Sequence, residues 1–210
     1  VWFHRSGEPG VAAVIAAVLR TDPYDLLRAF AAKDLDELAA KGDREASRLA
    51  EQIIPELIEA MGKDNDSSHG PVLCLNAMVT TATPALTKAA KGHTDVNVRA
   101  GALLTLGLMR NPEVAPTLIH GLGDQSVTVR LASIRALYRF VTPDSPHFAK
   151  AVSKLTAVLE DPDLKVRKGA AWVLASYGPP AGSALPALRE AAARDPKLRD
   201  EALAAIAVLQ

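Results

Sequence analysis

The chain has 210 residues, of which 49% are hydrophobic and only 4% aromatic, so a sizeable core is available and must be built from Ala, Leu, Val and Ile. Lys plus Arg and Asp plus Glu both number 24, and this zero net charge excludes a global field steering the chain to nucleic acid or anionic membrane. The single cysteine, Cys74, excludes an internal disulfide framework and any cysteine-rich zinc site, and leaves the compartment open.

The opening stretch, VWFHRSGEPG, places Trp2 and Phe3 outside any helical period. These aromatics are expected to plug the first helix pair or to dock on a neighbouring chain or a further domain. The run VAAVIAAVL at 11–19 is far shorter than the roughly 18 apolar residues of a spanning helix, so a buried helix is predicted. Because the chain opens with Val, it reads as a processed product or a piece of something longer, with any targeting or anchoring segment removed. TDPYDLLRAFAAKDL at 21–35 predicts a degenerate capped helix, with Asp22, Leu27 and Arg28 at matching offsets but Tyr24 in the capping place. DREASRLAEQIIPELIEAM reads as an outer helix and HGPVLCLNAMVTT as its inner partner, with Cys74 at a small, buried position.

From residue 80 onward the pattern repeats. An apolar residue followed by Arg recurs as Val98-Arg99, Val129-Arg130, Val166-Arg167 and Leu198-Arg199. Four residues before each Arg stands Asp95, Ser126, Asp163 or Asp195, each expected to cap a helix that follows, with Pro196 at the first helical position of the last. Offsets of 3, 4 and 7 after the Arg are small, mostly large, and large: Ala102, Leu103 and Leu106 in one repeat, Ala202, Leu203 and Ile206 in another. These offsets share one helix face and are predicted to point inward. Upstream of each anchor lies an apolar segment, and Pro55, Pro84, Pro116 and Pro186 suggest four similarly bent outer helices.

The stretch DPDLKVRKGA at 161–170 brings these features together, and its pattern D-x-D-x-x-V-R-x-x-A resembles the second half of a HEAT repeat. The resemblance is to the short bacterial form, also seen in phycobilin-lyase-like repeat proteins. Asp161, Asp163, Val166, Arg167 and Ala170 match in full, while Asp124, Val129, Arg130 and Asp95, Val98, Arg99 match in part. The resemblance covers residues 80–210 and implies an all-α fold, a right-handed α-solenoid of about six stacked helix pairs forming a HEAT-like superhelix. Residues 1–79 are then degenerate N-terminal pairs capping the array, and 80–210 are the repeats of one continuous solenoid. The family further implies that Asp95, Arg99, Asp124, Arg130, Asp161, Asp163, Arg167, Asp195 and Arg199 form a structural ladder from turn to turn. Recurrence in every repeat suits stacking, whereas catalysis needs one constellation.

No catalytic residue is expected. His4, His69, His93, His120 and His147 include no i, i+4 pair and no His-Glu dipeptide, so no metal and no cofactor is predicted. If offsets 3, 4 and 7 face inward, then offsets 2, 5 and 9 line the concave surface of a HEAT-like solenoid. They give Gly101, Leu104 and Leu108, then Ala132, Arg135 and Arg139; Gly169, Trp172 and Ser176 follow, and lastly Glu201, Ala204 and Val208. Leu104, Leu108, Arg135, Arg139, Trp172 and Ser176 are the candidate partner-binding residues, because Arg and Trp dominate binding energy where they are enclosed. The expected function is a non-enzymatic scaffold or adaptor holding a protein partner, as a subunit of a larger assembly, with the apolar C-terminal EALAAIAVLQ as a further contact. A nucleic-acid-binding protein like the HEAT-like alkylpurine DNA glycosylases is an alternative that the zero net charge disfavours. A chromophore-lyase-type accessory protein is another, resting on the short-repeat resemblance alone.

Overall fold

The computed structural model describes residues 10–63, 69–109 and 111–210. Trp2, Phe3 and His4 lie outside the described residues. Every regular element among those described is helical, and none is a strand. Two compact units divide the chain, Val1–Met109 and Arg110–Gln210.

In the first unit, α1 (Val11–Thr21), α2 (Asp25–Ala40), α3 (Arg44–Lys63), α4 (His69–Ala77), α5 (Val79–Gly92) and α6 (Val96–Leu108) form three successive pairs. Helix α2 packs on α1, α3 and α4, and α6 packs on α5 and α3. The buried residues of α1 are Ala12, Ile15, Ala16 and Leu19, an i, i+3, i+4, i+7 stripe that makes the apolar run one face of a helix. No helix among the described residues is long and apolar enough to cross a membrane. Helix α5 lacks a local cap at Met78. Asp36 of α2 supplies one instead: its buried carboxylate accepts from the backbone N–H of Thr80 at 3.1 Å and of Thr81 at 2.8 Å, and from the Thr81 hydroxyl at 2.7 Å. The first turn of α5 is thus satisfied from another helix.

The second unit contains a 3-10 turn (Pro112–Val114), α7 (Ala115–His120), a second 3-10 turn (Gly121–Gly123), α8 (Val127–Phe140), α9 (Phe148–Val158), α10 (Leu164–Tyr177), a third 3-10 segment (Pro179–Ala184), α11 (Leu185–Arg194) and α12 (Arg199–Leu209). Helices α8, α10 and α12 stack in sequence as one layer, and α7, α9 and the 3-10 segment leading to α11 form the other. Small side chains allow close stacking. A Cβ placed on Gly169 of α10 would stand 3.3 Å from Ile134 Cγ2 of α8. Phe148 and Tyr177 join the two layers with ring centroids 5.1 Å apart, and the Tyr177 hydroxyl donates to the Leu137 carbonyl at 3.1 Å.

Three expectations are corrected here. Pro55 and Pro84 do lie inside α3 and α5, but Pro116 and Pro186 sit in the first turns of α7 and α11, after 3-10 turns. A proline there occupies a place where a missing N–H costs nothing, so it starts a helix and does not bend one. Asp195 is the C-cap of α11, and α12 begins only at Arg199, because Pro196 to Leu198 form a turn closed by the Leu198 N–H on the Asp195 carbonyl at 3.1 Å. Helix α12 buries Ala202 and Ala205 at the same offsets as its predecessors, and Leu209, but Leu203, expected inside, is 51% exposed, since among the described residues α12 packs on α10, α11 and the 3-10 segment before it and no further helix covers its other side.

Candidate functional site

The repeating residues meet at the turns. Arg99, Arg130 and Arg167 each turn one guanidinium nitrogen, Nη1, back onto two carbonyls of their own turn. The acceptors are His93 and Thr94 for Arg99, Asp124 and Gln125 for Arg130, and Asp161 and Pro162 for Arg167, at 2.7 to 3.2 Å. The remaining nitrogens of Arg130 reach the next turn, with Nη2 2.9 Å from Asp161 Oδ1 and Nε 2.7 Å from Oδ2. Arg167 does the same with Asp195 Oδ2, at 2.8 Å from Nη2 and 3.0 Å from Nε. Such charge-assisted bonds join successive turns within this unit.

The two aspartates of the D-x-D pattern divide the work. Asp161 receives the arginine and the Asp163 N–H, while Asp163 caps α10 by accepting from the N–H groups of Lys165 and Val166. Asp95 caps α6 in the same way through the Asn97 N–H. Ser126 holds the capping place of α8 without a side-chain bond, and Asp124 accepts from the Ser126 N–H at 2.8 Å. Desolvation works to raise the Asp195 carboxyl, but the Lys197 N–H and the Arg167 guanidinium outweigh it and hold it below the usual carboxylate value. Arg199 differs from the other anchors: at the first residue of α12, its Nε donates to the Ala192 carbonyl at 3.1 Å.

With the turns accounted for, the outward faces of α8 and α10 hold the residues that do not repeat. Arg135, Arg139, Trp172 and Ser176 are all exposed. Trp172 is 53% exposed and stacks on Tyr138, 44% exposed, with ring centroids 4.2 Å apart and planes tilted by 47°. Arg135 and Arg139 lie one turn apart on α8 and have no ion-pair partner among the described residues. In the first unit, Leu108 is exposed near the end of α6 and Leu104 is half-buried.

The offset-2 positions are not part of the exposed face. Ala132 is buried, Gly169 lies against Ile134, and Glu201 bridges to Lys168 Nζ at 2.6 Å, so this column is the seam between stacked helices. Tyr138, at offset 8, takes its place in the open. At 3.6 residues per turn this turns the exposed face by roughly 40° from the deduced one, keeping offsets 5 and 9 and exchanging 2 for 8. Sequence reasoning missed Tyr138 for that reason. The available signal was an aromatic beside Arg139 in a chain with few aromatics.

Other candidate groups are accounted for structurally. Burial pushes the Cys74 thiol up to about 11, with Arg28 opposing and Asp25 adding to the rise, so it is an inert thiol in its core position. His93 Nε2 lies 3.0 Å from Glu59 Oε1, and among the described residues no group of three His, Cys, Asp or Glu side chains could hold a metal. A groove of about 630 Å³ runs on the other layer, between α7 and α9, floored by Ile119, Leu122 and Val158 with Lys150 and Lys154 at its rim. Its two acidic lining residues are already paired, Asp161 with Arg130 and Glu160 with Arg194.

The profile of the HEAT repeats matches residues 83–151 and 144–208, which is more than half of the chain. The chain belongs to the HEAT-repeat family. Solved structures agree with an α-solenoid fold of HEAT and armadillo type. The complex of CpcE and CpcF of phycocyanin lyase from Nostoc sp. PCC7120 aligns with a TM-score of 0.60 and 22% identity, over 72% of this chain and 96% of that one. Importin beta aligns with a TM-score of 0.54 and 16% identity, over 94% of this chain and 31% of its own. A designed armadillo repeat protein in complex with the peptide (KR)4 gives 0.52 and 17%, over 94% and 98%. No curated protein matches the chain in sequence. Within these HEAT repeats α8, α10 and α12 each follow a helix of the other layer.

Proposed function

We propose that the protein is a non-enzymatic HEAT-repeat scaffold or adaptor that holds a protein partner on the second helices of its repeats, as a subunit of a larger assembly. The observation that carries this reading is the half-exposed, tilted Tyr138 and Trp172 pair on α8 and α10, with Arg135 and Arg139, on the same helix as Tyr138, without an ion-pair partner among the described residues. Exposed aromatic area is unfavourable in water, and aromatics with Arg are the residue types that dominate binding when a partner covers them. Within the first unit, Leu104 and Leu108 stand at the same offsets from Arg99 on α6 and are proposed to contact a partner there in their own right. Extended repeat surfaces commonly serve this purpose, and two of the similar structures are themselves complexes, one of two protein chains and one with a peptide.

Nucleic acid as the partner is disfavoured by the zero net charge. The accessory role in chromophore attachment rests on the CpcE and CpcF likeness alone, which is one of fold. The test is recovery of bound proteins from the native source with the parent chain and with Arg135→Glu, Arg139→Glu, Trp172→Ala, after circular dichroism shows the variant folded. A defined protein retained by the parent and lost by the variant is expected. If every bound partner survives the change, the proposal fails.

A further inference from the structure

We infer that the row on α8 and α10 takes an acidic, extended segment of the partner protein, with carboxylates against Arg135 and Arg139 and an apolar or aromatic side chain laid on the Tyr138 and Trp172 pair. The inference rests on the proposed partner-binding role and adds the chemistry of what is bound.

Charge complementarity carries it. The arginines of the turns are already committed, Arg130 to Asp161 and Arg167 to Asp195, whereas Arg135 and Arg139 face solvent with no carboxylate of their own among the described residues. Glu201, in the seam between α10 and α12, is held by Lys168 at 2.6 Å. A guanidinium offers a planar fork that matches a carboxylate with two bonds. Spacing agrees with an extended ligand: one helical turn separates Arg135 from Arg139 by about 6 Å along the axis, and alternate residues of an extended chain are about 6.6 Å apart. Two carboxylates with one residue between them therefore reach both arginines. The aromatic pair adds an exposed apolar surface of two tilted rings, with centroids 4.2 Å apart, that bridges the two helices beside the cations. Nucleic acid also offers anions and flat rings, but its binding depends on many cations along a backbone, and this row supplies two.

The experiment is selection from a random peptide display library with the full chain as bait, followed by anisotropy measurements on the enriched, fluorophore-labelled peptides. Enriched sequences are expected to combine Asp or Glu with Trp, Phe or Leu, and their affinity should fall as salt rises. Trp172→Ala should weaken them about tenfold or more, the size expected for truncating a central aromatic. Arg135→Glu with Arg139→Glu should abolish acidic binding and select basic peptides instead. Enrichment of basic or uncharged peptides, no enrichment at all, or acidic peptides whose binding ignores the charge reversal would each overturn the inference. So would tighter binding of short single- or double-stranded oligonucleotides that the same variants remove. If the native partner is lost with the row variant but the selected peptides are not acidic, this inference fails and the scaffold reading stands; if the native partner is unaffected, the scaffold reading fails first.

Discussion

At the scale of the residue, magnitudes separate contacts that look alike in the sequence. The side chains of Arg130 and Asp161 are only 10% and 8% exposed, while those of Arg167 and Asp195 are 18% and 22% exposed. Breaking a buried pair leaves a charge without solvent or partner and costs about 3 to 5 kcal/mol, whereas an exposed pair contributes about 1 kcal/mol or less. Arg130→Ala should accordingly destabilise more than Arg167→Ala, by a margin visible in urea midpoints; equal losses would contradict this ranking. Cys74 offers a second check. A thiol pushed to about 11 from 9.0 holds about a hundredfold less thiolate at pH 8, so iodoacetamide should modify the native chain far more slowly than the urea-unfolded one. Similar rates in the two states would show that the thiol is open to solvent.

Elements show where sequence reading succeeds and where it stops. Helix α10 was legible because its cap, anchor and spacing are all local: Asp163 bonds two N–H groups of its own first turn, and Ala170 and Leu174 are buried as their offsets require. Helix α5 was legible as a helix, but its cap was not, since Asp36 stands 44 residues before Thr80 and nothing local marks the pairing. Prolines were ambiguous for a related reason, because the same residue type either sits inside a helix, as Pro84 does, or starts one, as Pro116 does. Leu203 failed because α12 keeps the buried offsets 3 and 6 of its predecessors but, among the described residues, packs on α10, α11 and the preceding 3-10 segment, so its offset-4 side meets no further helix. Asp36→Ala should cost about 1 to 2 kcal/mol, the range for losing a helix cap, and should raise hydrogen exchange first at the start of α5. Unchanged exchange at Thr80 and Thr81 would mean that the carboxylate does not hold that helix end.

The whole molecule divides its residues into those that repeat and those that do not. Repeating Asp and Arg are absorbed by turns that each unit needs for its own stacking, and they leave the ligand undefined. The residues that do not repeat include those of the outward face of α8 and α10, where Arg135, Tyr138, Arg139 and Trp172 do not recur at equivalent positions elsewhere in the sequence. Part of this exposed candidate face was legible, since offsets 5 and 9 followed from the anchor arginines. Tyr138 was hidden by the rotation of the helix, a property of packing between neighbours.

The most direct measurement is site-specific photo-crosslinking in an extract of the native source, with a benzophenone amino acid placed either at Ser176, in line with Trp172 on α10, or at Lys154, on the other layer of the same unit. The account predicts a defined crosslinked protein from position 176 and none of it from position 154. A crosslink that forms at 154 and not at 176 would contradict the central claim and move the binding surface to the α7 and α9 face.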